Sequence, residues 1–154
     1  LTEIVYCLRG KKVVLCNGST QIRKRVYMPI KTEKLDNQPI IIATYIGHVT
    51  AGDVEQMYTE TANLLAGTTG RYYRINDVQD SDTTFPEFVK ISSSITEDGP
   101  YRTGDPNLQA IFVGTNQWIK NVNNLTKKQK NLTLLTFRTF QKAMEYIESD
   151  MSPD

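Results

Sequence analysis

Oxygen-bearing side chains are densest over residues 77–84, where Asp77, Asp80, Ser81, Asp82, Thr83 and Thr84 fall within DVQDSDTT. Three carboxylates this close could ligate a divalent cation through oxygen. The run lacks the turn glycine and distal glutamate of a calcium loop, and acids ahead of a helix are favoured by its dipole alone. The expectation is a turn without a metal. A second candidate is Gly114-Thr115-Asn116, which ends the apolar run LQAIFVG and opens an amphipathic stretch. Free amides at such a helix start can cradle an anion. Gly67 to Gly70 is no phosphate loop, because no Gly-Lys-Ser/Thr follows and the glycines end a helical pattern. His48 is the only histidine, so a triad or histidine-based metal site would have to centre on it. Its place just before a helix start reads as a loop position. Cys7 and Cys16 are too few for a disulfide scaffold and lack metal-site spacing. No base, nucleophile and orienting group fall into a recognised scheme. The sequence predicts no catalytic residue, no metal and no cofactor.

Local patterning sets the first cluster between a strand and a helix. Tyr72, Tyr73 and Ile75 make residues 71–76 a short buried strand, and residues 77–84 a polar turn after it. Thr84 caps the next helix, with Glu87 three positions on as a capping box requires. In a parallel sheet that turn lies at the carboxyl end of its strand, where open α/β sheets place functional loops. The same unit recurs along the chain. IIIATYI at 40–46 is apolar throughout, as in a strand covered on both faces, and Thr50 with Asp53 opens a helix. The strand 108–114 precedes a helix capped at Thr115, with a stripe of Trp118, Ile119, Val122 and Leu125. The strand 132–137 precedes a helix capped at Thr139. Trp118 reads as a core residue or a partner-facing anchor.

Before this alternation the chain is β-rich. Residues 3–8 and 12–16 flank Arg9-Gly10-Lys11 as a hairpin. Residues 21–27 alternate as a strand with one wet face, and KTEKLDNQP separates them from the strand at 40–46. Strands alternating with helices imply right-handed crossovers and a mainly parallel core, with antiparallel strands at the N-terminal edge. The fold class is therefore α/β, in a single domain over 1–154.

Length and composition agree with one ordinary globular core: 154 residues, 39% hydrophobic and 23% charged. No apolar run approaches a membrane span, and no signal-peptide pattern opens the chain. The expected setting is the cytoplasm. The net charge of +1 is uneven, because residues 1–35 hold eight Lys or Arg against two Glu. Arg23, Lys24 and Arg25 with Tyr6 and Tyr27 offer a basic, aromatic strand surface of the kind that binds nucleic acid. No ribonucleoprotein motif accompanies them. A solvated strand is the expectation, and nucleic acid is not an expected partner.

The phrases IIATYIGHVTAGDVEQMY, YRINDV…TFPEFV, AIFVGTNQWIKNV and LTFRTFQKAMEYI, in this order of strands and helices, resemble uncharacterised bacterial proteins of the STAS or SpoIIAA-like fold. The resemblance covers residues 39–149. The core by this reading is 21–150, with residues 1–20 as an added hairpin. In STAS proteins the loop after the strand matching 71–76 ends in an Asp-Ser-Ser-Gly-like turn, where a serine is phosphorylated to control binding to a partner kinase. Asp77 matches the strand-end aspartate, and Ser81, Thr83 and Thr84 match the hydroxyl region. Phe85-Pro86 replaces the glycine. The resemblance implies a non-enzymatic interaction or regulatory domain that binds a protein partner or a second copy of itself. The alternative is a small-ligand or anion-binding domain using the loops 77–84 and 114–116.

Overall fold

The structure, a computed structural model, describes residues 4–8, 11–15 and 27–153. The elements are β1 (Ile4–Leu8), β2 (Lys11–Leu15), β3 (Ile30–Lys34), β4 (Ile40–His48), α1 (Ala51–Leu64), β5 (Tyr72–Asp82), α2 (Phe85–Thr96), β6 (Leu108–Val113), α3 (Gln117–Lys130), β7 (Leu135–Phe137) and α4 (Phe140–Met151). β1 and β2 pair antiparallel. The other five strands form one sheet in the order β3-β4-β5-β6-β7, with β3 antiparallel to β4 and the remaining pairs parallel. This is the α/β sheet that the alternation predicts, with its antiparallel strand at the N-terminal edge.

Strand order follows chain order, and that decides where the helices go. Three successive right-handed crossovers running the same way along a sheet must place all three connecting helices on one face. Val54, Met57 and Tyr58 of α1, Ile91 and Ile95 of α2, and Ile119 and Val122 of α3 accordingly share one core with Ala43, Tyr45, Val78 and Phe112. α4 follows the edge strand and crosses to the other face. There Ala143 and Ile147 pack on Ile40, Tyr73, Ile75, Ile111 and Val113. β4 and β6 are buried on both sides over most of their length and read as near-continuous apolar runs, whereas β5 is buried on both sides over Tyr72–Asn76 and carries polar residues there too.

The boundaries differ from expectation in places with a common cause. β3 lies inside the stretch expected to be a connector. As an edge strand it needs only Ile30 fully buried, and Lys31, Glu33 and Lys34 face solvent. The expected strand at 21–27 lies, Tyr27 apart, outside the described residues, as do the basic side chains at 23–25. β7 begins at Leu135, later than expected.

Candidate functional site

The polar run 77–84 is not a turn. β5 continues through it to Asp82, with Ile46, Gly47 and His48 of β4 paired to Asp80, Ser81 and Asp82. Asp77, Asp80 and Ser81 are therefore strand residues, and only Thr83 and Thr84 link to α2. Before this, Thr44 pairs with Asp77, so Val78 and Gln79 together stand opposite Tyr45 as a β-bulge. Val78 keeps the inward parity of Arg74 and Asn76 and is fully buried. Asp77 Oδ1 accepts hydrogen bonds from the Gln79 amide (3.2 Å) and side chain (3.1 Å). The Ser81 hydroxyl donates to the Val78 carbonyl at 2.8 Å. The carboxylates of Asp80 and Asp82 thus lie exposed on the outer part of a strand, and that of Asp77 is half-buried. Among the described residues, no group of three or more His, Cys, Asp or Glu is placed to hold a metal ion.

Residues 114–116 sit directly against this bulge. The N-cap of α3 is Asn116, one residue later than expected, and its side chain makes no capping bond. Its Nδ2 instead donates to the carbonyls of Val78 (2.6 Å) and Ser81 (2.8 Å), so it ties the end of β6 to the outer part of β5. Gly114 has φ +142°, and a Cβ there would meet Val78 Cγ2 at 3.1 Å and Asn116 Oδ1 at 3.2 Å. Only glycine suits both the conformation and the closeness. The two predicted loops are neighbours, joined by one side chain. On the far side of Gly114 and Thr115 lies a cleft of ≈310 Å³, also lined by Lys120, Thr136 and Arg138. Neither Lys120 nor Arg138 is in an ion pair with any described residue.

The start of α2 forms a corner with the start of α1. Thr84 is the N-cap but makes no side-chain capping bond. Glu87 does not close the expected box on it; its Oε2 accepts from the Ala51 amide at the start of α1 (2.8 Å), and its Oε1 accepts from Lys90 (3.1 Å). The Ala51 amide, and then Lys90, hold the Glu87 carboxyl below the usual carboxylate range. The Thr83 hydroxyl donates to the Val49 carbonyl at 2.8 Å. His48 is the last residue of β4, not a loop residue, and its Nδ1 lies 3.1 Å from Asp82 Oδ1. Beside these polar ties, Phe85 is 76% exposed and Val89 47%. Phe85 stacks on Phe88 with ring centres 6.1 Å apart.

One group, centred on Arg74, goes beyond the sequence reading. Tyr72, Arg74 and Asn76 share a parity on β5, and in a strand covered on both sides that parity must be buried. Arg74 is fully buried. Its Nη1 donates to the Tyr101 carbonyl (2.7 Å), its Nη2 lies 3.4 Å from Thr103 Oγ1, and its guanidinium sits over the Tyr58 ring at 4.9 Å. Arg102 lies over the same ring at 4.8 Å, but reaches the carboxylates of Glu55 (2.8 Å) and Glu97 (3.3 Å). The Tyr45 hydroxyl donates to Asn76 Oδ1 at 3.2 Å. Burial pushes the Tyr45 and Tyr58 phenols up and the Arg74 guanidinium down from their ordinary values. The signal was present as strand parity, hidden because an arginine between tyrosine and isoleucine reads as a surface residue.

Comparison with known proteins places this architecture. An uncharacterised protein of the DUF3478 family with a SpoIIAA-like fold, from Shewanella loihica PV-4, is 14% identical with a TM-score of 0.50, covering 76% of this chain and 90% of that one. The anti-sigma factor antagonist SpoIIAA in its unphosphorylated form is 12% identical with a TM-score of 0.51, covering 77% of this chain and 97% of that one. No family model and no curated protein matches the chain. The chain has a SpoIIAA-like fold, as the sequence resemblance implies. At these identities the likeness is one of fold. Among the described residues, no helix is long and apolar enough to cross a membrane.

Proposed function

We propose that the chain is a non-enzymatic interaction or regulatory domain of STAS type, and that its partner surface is the corner between the end of β5 and the start of α2. The observation that carries this reading is Phe85, 76% exposed on the first turn of α2, with Val89 one turn on. Exposed apolar side chains rimmed by polar groups suit a protein interface. Here the rim is Asp80, Ser81, Asp82 and Thr83. The partner is a protein or a second copy of this chain. The SpoIIAA-like fold supports the reading because the SpoIIAA neighbour is an anti-sigma factor antagonist. A photo-crosslinker at position 85, used in living cells and on the purified chain across a concentration series, tests it. A specific crosslinked species, lost on Ser81→Glu while the melting temperature holds, is the expected result. Failure to crosslink any protein, the chain itself included, overturns the reading.

A second reading is favoured by the cleft beside Gly114 and Thr115. Lys120 and Arg138 give it two cations, with Thr115 and Thr136 as hydroxyl donors, and that set suits an anionic small ligand. Asn116, engaged with β5, takes no part. Titration with inorganic phosphate followed by NMR should move the amides of residues 114, 115 and 138, and Lys120→Ala with Arg138→Ala should abolish the shifts. Unmoved amides would remove this reading and leave the first intact.

A further inference from the structure

The sheet ends at β7, with no described strand beyond it. The Gly114 amide donates to the Phe137 carbonyl at 2.9 Å, so the backbone of Phe137, and of Leu135 two residues before it, faces β6. Successive residues of a strand turn their N–H and C=O groups to opposite edges, so those of Leu134 and Thr136 face outward. The first outward amide is taken. Asn123 reaches over from α3, and its Oδ1 accepts from the Leu134 N–H at 2.8 Å. Thr136 is exposed, and its N–H and C=O bond to no described residue outside the ladder. Edge strands are commonly guarded by charged side chains. β3, at the other edge, carries Lys31, Glu33 and Lys34, whereas β7 is Leu-Thr-Phe.

The cleft of ≈310 Å³ opens beside this unguarded residue, which is part of its lining. None of the lining residues is acidic. Lys120 and Arg138 bring two cations that no described residue pairs. One place therefore offers an open backbone donor, an open backbone acceptor and two positive charges. An inorganic anion would engage only the charges; an extended peptide bearing a carboxylate engages all of them. We propose, on the reading of this cleft as an anion site, that its ligand is an extended acidic peptide, which adds to β7 as a further strand. The added strand is antiparallel, because one opposing residue then satisfies both groups of Thr136. That residue is acidic, and its carboxylate reaches Lys120 and Arg138. Asn123 ends the pairing at Leu134.

The probe is the acetylated and amidated peptide Thr-Val-Thr-Glu-Thr-Val-Thr, added to the full chain and followed by NMR. It should shift the amides of residues 114, 115, 136 and 138 and slow hydrogen exchange at Thr136. Glutamine in place of its glutamate should weaken binding roughly tenfold, and Lys120→Ala with Arg138→Ala should erase that difference. N-methylation of the glutamate nitrogen removes the donor that meets the Thr136 carbonyl, and should abolish the protection. Thr136→Pro removes an N–H that lies outside the ladder, so the melting temperature should hold while peptide binding is lost. Shifts with inorganic phosphate but no peptide-induced protection at Thr136, or equal binding of the N-methylated peptide, would overturn the peptide ligand and leave the anion site standing. Amides unmoved by either phosphate or peptide would overturn both.

Discussion

Thr50 and Thr84 occupy the same place in the sequence pattern and play different parts in the structure. Thr50 closes a full box: its Oγ1 accepts from the Asp53 amide at 3.3 Å, and the Asp53 carboxylate accepts from the Thr50 amide at 2.8 Å. At Thr84 the residue that would complete the box, Glu87, serves the start of α1. Thr50→Ala should therefore cost ~1 kcal/mol in urea unfolding, and Thr84→Ala clearly less. Equal costs would contradict the assignment. Three-residue spacing reveals a possible box but not a competing donor on another helix, and this is why one cap was legible and the other misread. Glu55 gives a pH test at the same scale. Hydrogen bonds from Arg102 hold its carboxyl below the usual glutamate range, with a further bond from Ser94. The folded value lies below the unfolded one, so the stabilisation is present above pH 4.5 and is lost as pH falls through the folded value. Glu55→Gln should lower the melting temperature at neutral pH, with the gap to the parent chain closing on the acid side. The pair is part-exposed, so the effect is small.

At the scale of elements, the outer half of β5 is the feature that sequence patterning misjudged most. DVQDSD contains no alternation that demands a buried face, and its acids and serine are the residues of turns. What makes it a strand is supplied from elsewhere: the β4 ladder, the Asp77 contacts at the bulge, and Asn116 reaching across from α3. None of these is visible in local sequence. The inner halves of β4 and β6 were legible because cover on both sides forces them to be apolar, and that of β5 through Tyr72, Tyr73 and Ile75. Asn116→Ala removes its side-chain bonds to β5 and should raise amide exchange at residues 80–82, with residues 73–76 unaffected. Uniform acceleration, or none, would show that the stitch does not hold the strand.

For the whole molecule, the imbalance between the two faces matters most. Three helices share one face, and among the described residues α4 is the only helix on the opposite core, with Ile147 and Ala143 fully buried at its centre. Ile147→Ala should cost about 2–5 kcal/mol, measured by urea unfolding, because among the described residues no second helix is there to collapse into the gap. A loss below 1 kcal/mol would mean that α4 is not the cover this arrangement requires. The order β3-β4-β5-β6-β7 has a further consequence for synthesis. As the chain leaves the ribosome, each new strand meets the edge laid down immediately before it, so the sheet can grow in one direction without rearrangement. The three-helix side is sealed along the way, but its reverse is closed last, by the final elements to emerge. A chain halted before Leu135 would carry Ile40, Ile75, Ile111 and Val113 bare on one side of an otherwise assembled sheet. That nascent species is the one most prone to aggregate and the one a chaperone would recognise.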